Sequence, residues 1–362
     1  MTQQGFQDWI SNTCPQWQGS ITFLPEVLEK DAFQPEKITP IYQYLDRAVT
    51  AERVSTGIHM LGQYSADLAV ISERFGVAPQ YLMAIWGLET NFGQVMGDFH
   101  APSALATLAF GSQNHARRAM FERQIGAVDD IIARGGIKFS DMYSSWAGAM
   151  GHTQFMPATY LEHAVSFDGS GAPDIWGSSP LDALCSTANY LSKSGWHATP
   201  HPIEIIQIDT DTDYSLFDMA QRRNAYDWAA LGIPFPTDHD GLYWGYAPLG
   251  QYGPVVFFGP ETAALWEYNR SPFYMLAVIL LADRISGINR YSLTWSDRPA
   301  PLTVVETQFI QTCLTQQGYD THGADGIWGR NSRAALQKWQ ADQGMIADGF
   351  PTHSVLERFK SV

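Results

Sequence analysis

The chain is 362 residues long, with 45% hydrophobic and 16% charged residues and a formal net charge of −15 at pH 7. This length predicts two domains, the larger with room for a sizeable core. The acidic balance supplies no basic stripe that could follow phosphates, which argues against nucleic acid and anionic membrane surfaces as partners.

The N-terminus carries no recognisable export signal. Residues 1–14 (MTQQGFQDWISNTC) lack the basic start, the apolar stretch and the small-residue cleavage site of a signal peptide, and those before Cys14 do not resemble a lipid-attachment site. We therefore expect either an intracellular chain or one numbered from a processed or recombinant form. The cysteines, Cys14, Cys185 and Cys313, permit at most one internal disulfide and lack metal-ligand spacing, so they leave the compartment open.

Glu89 is a charged residue in an otherwise apolar segment. Residues 77–93 (VAPQYLMAIWGLETNFG) predict a helix that begins near Pro79 and ends at Gly93, and the apolar residues three, four and seven positions before Glu89 share its face. Burial raises the pKa of a carboxyl group, which makes it usable as a general acid near neutral pH, with activity falling at high pH. The residues leave two interpretations open: a catalytic acid, or a structural Glu that caps a helix or pairs with an Arg.

A second segment combines small and polar residues. Residues 145–157 (SWAGAMGHTQFMP) contain four small residues that permit close backbone approach, then two polar side chains, then Pro157 where the next helix is expected to begin. This pattern fits either a ligand that approaches the backbone closely or a tightly packed turn between helices.

Short helices predominate in the first 297 residues, with two exceptions. Residues 202–208 (PIEIIQI) and 254–258 (PVVFF) predict strands. The longest apolar run, residues 273–282 (FYMLAVILLA), is far shorter than the roughly 20 residues that span a bilayer and predicts a buried helix. The predicted fold class is therefore α+β, mainly α, with a small β part and no membrane span.

A Pro-rich stretch, residues 297–302 (DRPAPL), predicts the boundary between domains at 1–298 and 302–362. Three helices are expected after it, and Ala-Asp-Gly recurs at two turns between them. The predicted helices are 303–317, 330–343 and 352–359, and the turns are 324–326 and 347–349. We expect a chain that ends near Asp297 to fold and to remain active.

Four blocks in residues 40–295 resemble the lytic murein transglycosylase B family (glycoside hydrolase family 103). They are 86–93 (WGLETNFG), 148–157 (GAMGHTQFMP), 182–196 (DALCSTANYLSKSGW) and 268–274 (YNRSPFY). The resemblance implies a lysozyme-like catalytic domain that cleaves bacterial peptidoglycan, and hence a periplasmic location.

The resemblance also implies roles for particular residues. Glu89 matches the sole catalytic carboxylate. The residues that match positions lining the substrate cleft are Ser145, Gln154, Phe155, Tyr190, Tyr268, Asn269, Tyr274 and Tyr44. Of these, Tyr44 rests on the weakest block, residues 44–57 (YLDRAVTAERVSTG).

The implied mechanism needs one carboxyl group, although most glycosidases need two. Other acidic residues lie outside comparably apolar segments and are expected at solvated positions: Asp98, Glu122, Asp168 and Asp174. By resemblance, Glu89 protonates the oxygen between N-acetylmuramic acid and N-acetylglucosamine, the 2-acetamido group stabilises the cation, and Glu89 then deprotonates the muramic C6 hydroxyl. That hydroxyl closes on C1 and forms a 1,6-anhydro end without water. The alternatives are a hydrolytic muramidase and a non-catalytic cell-wall-binding protein.

Residues 302–360 resemble a different family, the three-helix peptidoglycan-binding domain. The matching blocks are 318–320 (GYD), 325–329 (DGIWG), 334–340 (AALQKWQ) and 347–352 (ADGFPT). Ser332 stands where that family usually has Thr, and both offer a hydroxyl near a helix start. The implied partner is the peptidoglycan glycan strand. The sequence leaves open whether cleavage occurs within glycans or at their ends. It also leaves open the cross-link preference, the assembly partners, the export route and the oligomeric state.

No cofactor and no metal are expected. Relatives carry a calcium loop after the glutamine-bearing turn, and the corresponding stretch here is residues 166–177 (SFDGSGAPDIWG). Calcium takes six to eight oxygens, usually with a bidentate acid at the end of the loop. Asp168 and Asp174 alternate suitably, but Gly177 offers no side chain at the terminal position. We expect both carboxylates to accept hydrogen bonds from nearby backbone amides instead.

Overall fold

The computed structural model of the protein describes residues 1–32, 39–197, 199, 201–209 and 211–361. The chain forms two compact units. The helical unit consists of Met1–Gln34, Ala51–Trp196 and Arg284–Gly287. The sheet unit consists of Pro35–Thr50, His197–Asp283 and Ile288–Val362.

Helices dominate both units, which agrees with the predicted fold class of α+β, mainly α. In chain order they are α1 (Gln3–Thr13), α2 (Pro25–Ala32), α3 (Ile41–Ala48), α4 (Ala51–Gln63), α5 (Ser65–Phe75), α6 (Pro79–Thr90), α7 (Ala101–Gly111), α8 (His115–Arg134), α9 (Pro157–His163), α10 (Leu181–Lys193), α11 (Ala225–Ala230), α12 (Thr262–Tyr268), α13 (Pro272–Ile285), α14 (Val304–Gln316), α15 (Arg330–Asp342) and α16 (His353–Lys360). The strands are β1 (Phe99–His100), β2 (Tyr143–Ser144), β3 (Ile203–Ile206), β4 (Asp218–Arg223), β5 (Tyr243–Tyr246) and β6 (Val255–Phe258).

The core of the helical unit is built around α7. Its small apolar residues are buried from Ala101 to Ala109, which lets α2 and α8 pack closely against it. The short strands β1 and β2 pair antiparallel and bring the segment after α6 next to the turn that follows β2. Helix α9 begins at Pro157, as predicted, because proline is favoured in the first turn of a helix.

Helix α6 begins at Pro79 as predicted but ends earlier than the sequence indicated. Its last residue is Thr90, three positions before the expected end at Gly93. Asn91 adopts the left-handed conformation (φ 50°), and this stops the helix. Glu89 therefore lies in the final turn of α6.

The sheet unit contains a four-stranded antiparallel sheet with strand order β3-β6-β5-β4. Both predicted strands are present as β3 and β6, and every residue of β6 is buried. Aromatic side chains fill the core beside the sheet: Tyr214, Phe217, Trp228, Phe235, Tyr243 and Phe257. Strands β4 and β5 are not predicted by the sequence pattern. Strand β4 (DMAQRR) is a largely polar edge strand with a register shift, so it lacks the alternation that identifies a strand.

The three predicted C-terminal helices are present as α14, α15 and α16. Thr303 and Glu306 form a capping box at the start of α14. The two repeated turns share one design: Asp325 and Asp348 each accept a hydrogen bond from the backbone two residues on, and the glycine after each has a positive φ.

These helices pack against the sheet within the same compact unit. The Arg333 guanidinium donates a hydrogen bond to the Ala247 carbonyl at 3.0 Å, and the backbone N–H of Gln251 donates to Asp348 Oδ2 at 3.2 Å. The predicted domain boundary between residues 298 and 302 stays a prediction, and the last segment of the sheet unit, Ile288–Val362, runs across it.

The predicted buried helix at residues 273–282 is confirmed as part of α13, in which Tyr274 to Ala282 are buried. Within the described ranges, no helix is both long enough and apolar enough to cross a membrane. The three cysteines are free thiols; burial raises the pKa of Cys14 and Cys185 to about 11.

Candidate active site

Glu89 is half-buried at the end of a helix that is itself buried. Leu82 to Gly87 are all inaccessible or nearly so, which makes α6 a rigid support for the carboxyl group. The chain then reverses through two consecutive left-handed residues without glycine, Asn91 (φ 50°) and Phe92 (φ 59°). Such backbone strain persists only where the surrounding structure imposes it, and it is concentrated at functional sites.

The reversal after Glu89 is held by Thr90. Its hydroxyl accepts a hydrogen bond from the Gly93 backbone at 3.0 Å and donates one to the His152 carbonyl at 2.7 Å. A Cβ at Gly93 would lie 2.6 Å from the His152 ring, and one at Gly97 would collide with the Ser144 carbonyl. These glycines let the loop after α6 lie directly against the turn that contains residues 144–155.

The turn of residues 144–155 places Ser145 and Gln154, two of the predicted site residues, on one tight loop. The Ser145 hydroxyl accepts from the Ala149 backbone at 3.3 Å. Gln154 adopts a positive φ of 55°, and its amide nitrogen donates to the carbonyls of Met96 at 3.2 Å and Gly151 at 2.9 Å. The Gln154 side chain therefore connects this turn to the loop that follows Glu89.

His152 connects several segments of this region, although no local sequence pattern indicates such a role. Its side chain lies between three segments: Nδ1 accepts from Trp86 Nε1 at 3.1 Å, and Nε2 faces the Gly177 carbonyl at 2.8 Å. Because the indole can only donate, Nδ1 carries no proton and Nε2 donates to Gly177. Burial lowers the pKa of His152, which agrees with a neutral ring.

Phe155 and Tyr190, predicted to line the cleft, lie side by side in the helical unit. The Phe155 ring is 2% exposed and its centroid lies 6.1 Å from that of Tyr190. Tyr190 is half-buried and also contacts His163, at 4.6 Å between centroids. Burial lowers the pKa of His163. Phe155 thus packs against Tyr190, which remains partly accessible.

The remaining predicted site residues lie in the sheet unit. Tyr268 is the last residue of α12 and Tyr274 is in the first turn of α13, and their rings are parallel within 5° with centroids 6.3 Å apart. Asn269 is exposed in the short connection between the two helices. Tyr44, on α3, has its ring 5.7 Å from that of Phe273. Two predicted residues, Tyr268 and Tyr274, are therefore stacked.

The glycine-rich segment 166–177 has the hydrogen bonds predicted for it. Asp168 accepts from the backbone and hydroxyl of Ser170, and these bonds lower the pKa of Asp168 to about 2. Asp174 accepts from the backbone of Trp176 and Gly177. Asp168, Asp174 and Asp98 are exposed, whereas Glu122 is half-buried on α8.

Two family models match the chain. The transglycosylase SLT domain matches residues 2–283, and the putative peptidoglycan binding domain matches residues 304–359. Membrane-bound lytic murein transglycosylase B of Escherichia coli (strain K12) is 36% identical over 157 residues, which span 42% of this chain and 42% of that protein.

Solved structures of similar proteins cover more of the chain. SltB3 of Pseudomonas aeruginosa, solved in complex with NAG-anhNAM-pentapeptide, is 35% identical, with a TM-score of 0.90 over 99% of this chain and 100% of that one. The Escherichia coli lytic transglycosylase Slt35, solved in complex with calcium, is 25% identical, with a TM-score of 0.67 over 80% of this chain and 93% of that one.

Proposed function

Since this chain belongs to the lytic murein transglycosylase B family, we propose that it is a peptidoglycan lytic transglycosylase. It cleaves the β-1,4 bond between N-acetylmuramic acid and N-acetylglucosamine in peptidoglycan, and the product ends in 1,6-anhydromuramic acid. The observation that carries the proposal is the position of Glu89, a single half-buried carboxyl group at the end of a buried helix and beside a strained reversal.

Glu89 acts first as acid and then as base. As acid it gives its proton to the glycosidic oxygen while the bond from that oxygen to C1 of muramic acid breaks. As base it takes the proton of the C6 hydroxyl, whose oxygen forms the new bond to C1.

This sequence of steps uses no external nucleophile. A hydrolytic glycosidase needs a second carboxylate to attack C1 or to activate water. Asp98, Asp168 and Asp174 are exposed, and Glu122 is half-buried in the middle of α8, so none of them lies at the end of a buried helix as Glu89 does. The C6 hydroxyl of the substrate takes the place of that second group.

The other predicted residues bind the glycan. Ser145 and Gln154 lie on the turn that contacts the loop after Glu89, so we assign them to the sugar rings nearest the broken bond. In the helical unit, Tyr190, which packs against Phe155, offers an aromatic face for a sugar ring. In the sheet unit, Tyr268 and Tyr274 offer further aromatic faces, and Asn269 and Tyr44 are the other predicted binding residues.

The C-terminal helices bind the same polymer. The match to a putative peptidoglycan binding domain over residues 304–359 supports this role. An enzyme whose catalytic and binding parts both recognise peptidoglycan works where that polymer is, so we propose a periplasmic location. Peptidoglycan is the partner, and no cofactor takes part.

Turnover of purified cell-wall sacculi tests this proposal. We expect the intact chain to release soluble muropeptides, and Glu89→Gln to bind sacculi equally well without releasing them. If the intact chain binds sacculi but releases nothing, it is a wall-binding protein. If Glu89→Gln retains turnover, the catalytic carboxyl group is elsewhere.

A further inference from the structure

Three potential metal ligands that have no role in the proposed reaction converge at the edge of the sheet. They are His201, Glu204 and His239, and their ligand atoms all lie within 4.8 Å of one another. His201 Nδ1 lies 3.4 Å from Glu204 Oε1, and His239 Nε2 lies 2.7 Å from the same oxygen. One carboxylate oxygen therefore faces both imidazoles.

The backbone and the aromatic core hold these side chains in place. Glu204 lies in β3, an edge strand, where it pairs with Phe257 of β6. The Tyr243 hydroxyl donates to the His201 carbonyl at 3.1 Å. The His239 ring packs against Phe235 and Tyr243, with centroids 5.8 and 6.0 Å away, and its side chain is only 5% exposed. The two imidazoles stack with centroids 4.0 Å apart.

We propose that His201, Glu204 and His239 bind a zinc ion. Two imidazole nitrogens and one carboxylate oxygen are a ligand set that zinc uses, whereas calcium and magnesium prefer oxygen alone. Zinc–ligand bonds of about 2.0–2.2 Å in tetrahedral geometry put ligand atoms roughly 3.3 Å apart. The 3.4 Å between His201 and Glu204 already matches, and the 2.7 Å contact lengthens by about 0.6 Å when zinc enters.

Asp238 prepares His239 for this role. The Asp238 carboxylate lies 3.1 Å from His239 Nδ1, on the opposite side of the ring from Glu204. A carboxylate that accepts the proton of one imidazole nitrogen leaves the other nitrogen with its lone pair free to bind a metal. With three protein ligands, the fourth zinc position belongs to water, and its access is from the partly exposed side at His201, whose side chain is 38% exposed.

The local charge also favours a divalent cation. Among the described residues, the ion-pair partners of Glu204 are two histidines, His201 and His239. A zinc ion would compensate the negative charge of the Glu204 carboxylate and would tie the edge strand β3 to the segment before β5.

Metal titration of the full chain, first stripped with a chelator, tests the proposal. We expect one zinc equivalent to bind by calorimetry and to raise the melting temperature, and one cobalt(II) equivalent to give the visible absorption of a tetrahedral site with nitrogen ligands. His201→Gln and Glu204→Gln should each weaken binding by at least about tenfold. His322→Gln is the matched control, because His322 is an exposed histidine beside one carboxylate, Asp320, in the same unit.

The cobalt spectrum of the unsubstituted chain tests the proposal even where a variant folds poorly. Absence of stoichiometric zinc binding, or a cobalt spectrum of six oxygen ligands, would overturn the assignment. So would zinc affinity that is unchanged in His201→Gln and Glu204→Gln, or lowered equally by His322→Gln.

Discussion

The indole nitrogen of Trp86 lies 3.1 Å from Nδ1 of His152, and this buried hydrogen bond joins the helix of Glu89 to the turn of Gln154. On the other side of the ring, His152 Nε2 donates to the Gly177 carbonyl. The position of the Glu89 carboxyl group, which we propose as the catalytic one, relative to Gln154 therefore depends on His152.

Trp86→Phe should reduce both stability and turnover. The phenyl ring keeps most of the packing but leaves a buried imidazole nitrogen without its donor, which costs about 1–3 kcal/mol. Urea unfolding and sacculus digestion measure the two effects. Trp176→Phe, which removes an exposed indole donor in the same unit, is the control and should change stability much less. Equal losses in the two variants would mean that the Trp86 bond is unimportant.

Acid pH should weaken the fold through His152. Burial lowers its pKa from the ordinary value of 6.5, so the unfolded chain binds a proton at pH values where the folded ring stays neutral. The stabilisation is therefore complete above about pH 6.5 and is lost as pH falls toward the folded pKa. Urea unfolding between pH 5 and 8 measures it in the intact chain and in His152→Gln, since glutamine can accept from Trp86 and donate to Gly177. Identical pH slopes in the two proteins would contradict this account.

Glu89→Gln should fold normally and lose nearly all activity. Glutamine preserves the size of the side chain but can neither give nor take the proton, and each role contributes roughly 100- to 10,000-fold. Circular dichroism checks the fold and muropeptide release measures the rate. Glu122→Gln provides a matched control, because Glu122 is a half-buried carboxyl group on α8 that should not contribute. Comparable rate losses in the two variants would remove the special role of Glu89.

A chain that ends at Asp297 should bind insoluble wall less well and should also melt at a lower temperature. The sequence predicts that it folds, but the contacts of Arg333 with Ala247 and of Asp348 with Gln251 are lost. Calorimetry and sacculus pull-down measure the two changes. A melting temperature equal to that of the full chain would show that the C-terminal helices do not stabilise the sheet.

The sequence predicts those features that have a local pattern. Helix α6 follows from the spacing of apolar residues and from Pro79, and the C-terminal turns follow from the repeated Asp-Gly pairs. The sequence predicts the end of α6 at Gly93 because glycine commonly terminates helices. The helix stops instead at Asn91, which adopts the left-handed conformation.

Features that depend on distant partners could not be read from the chain. His152 lies between ordinary turn residues, and its importance comes from Trp86, which is 66 positions away. His201 and His239 are likewise far apart in sequence and meet only because the sheet brings β3 beside the segment before β5. Four motif blocks are enough to indicate the family. They do not predict the contact between His152 and Trp86 or the one between His201 and His239.

The most direct test of the central claim is digestion of purified sacculi in water enriched in oxygen-18, followed by mass spectrometry of the products. If Glu89 closes the C6 hydroxyl on C1, the new muramic ends are 1,6-anhydro ends, lighter by one water than reducing ends and free of the heavy isotope. New reducing ends that contain oxygen-18 would instead identify a hydrolase and contradict the proposed reaction.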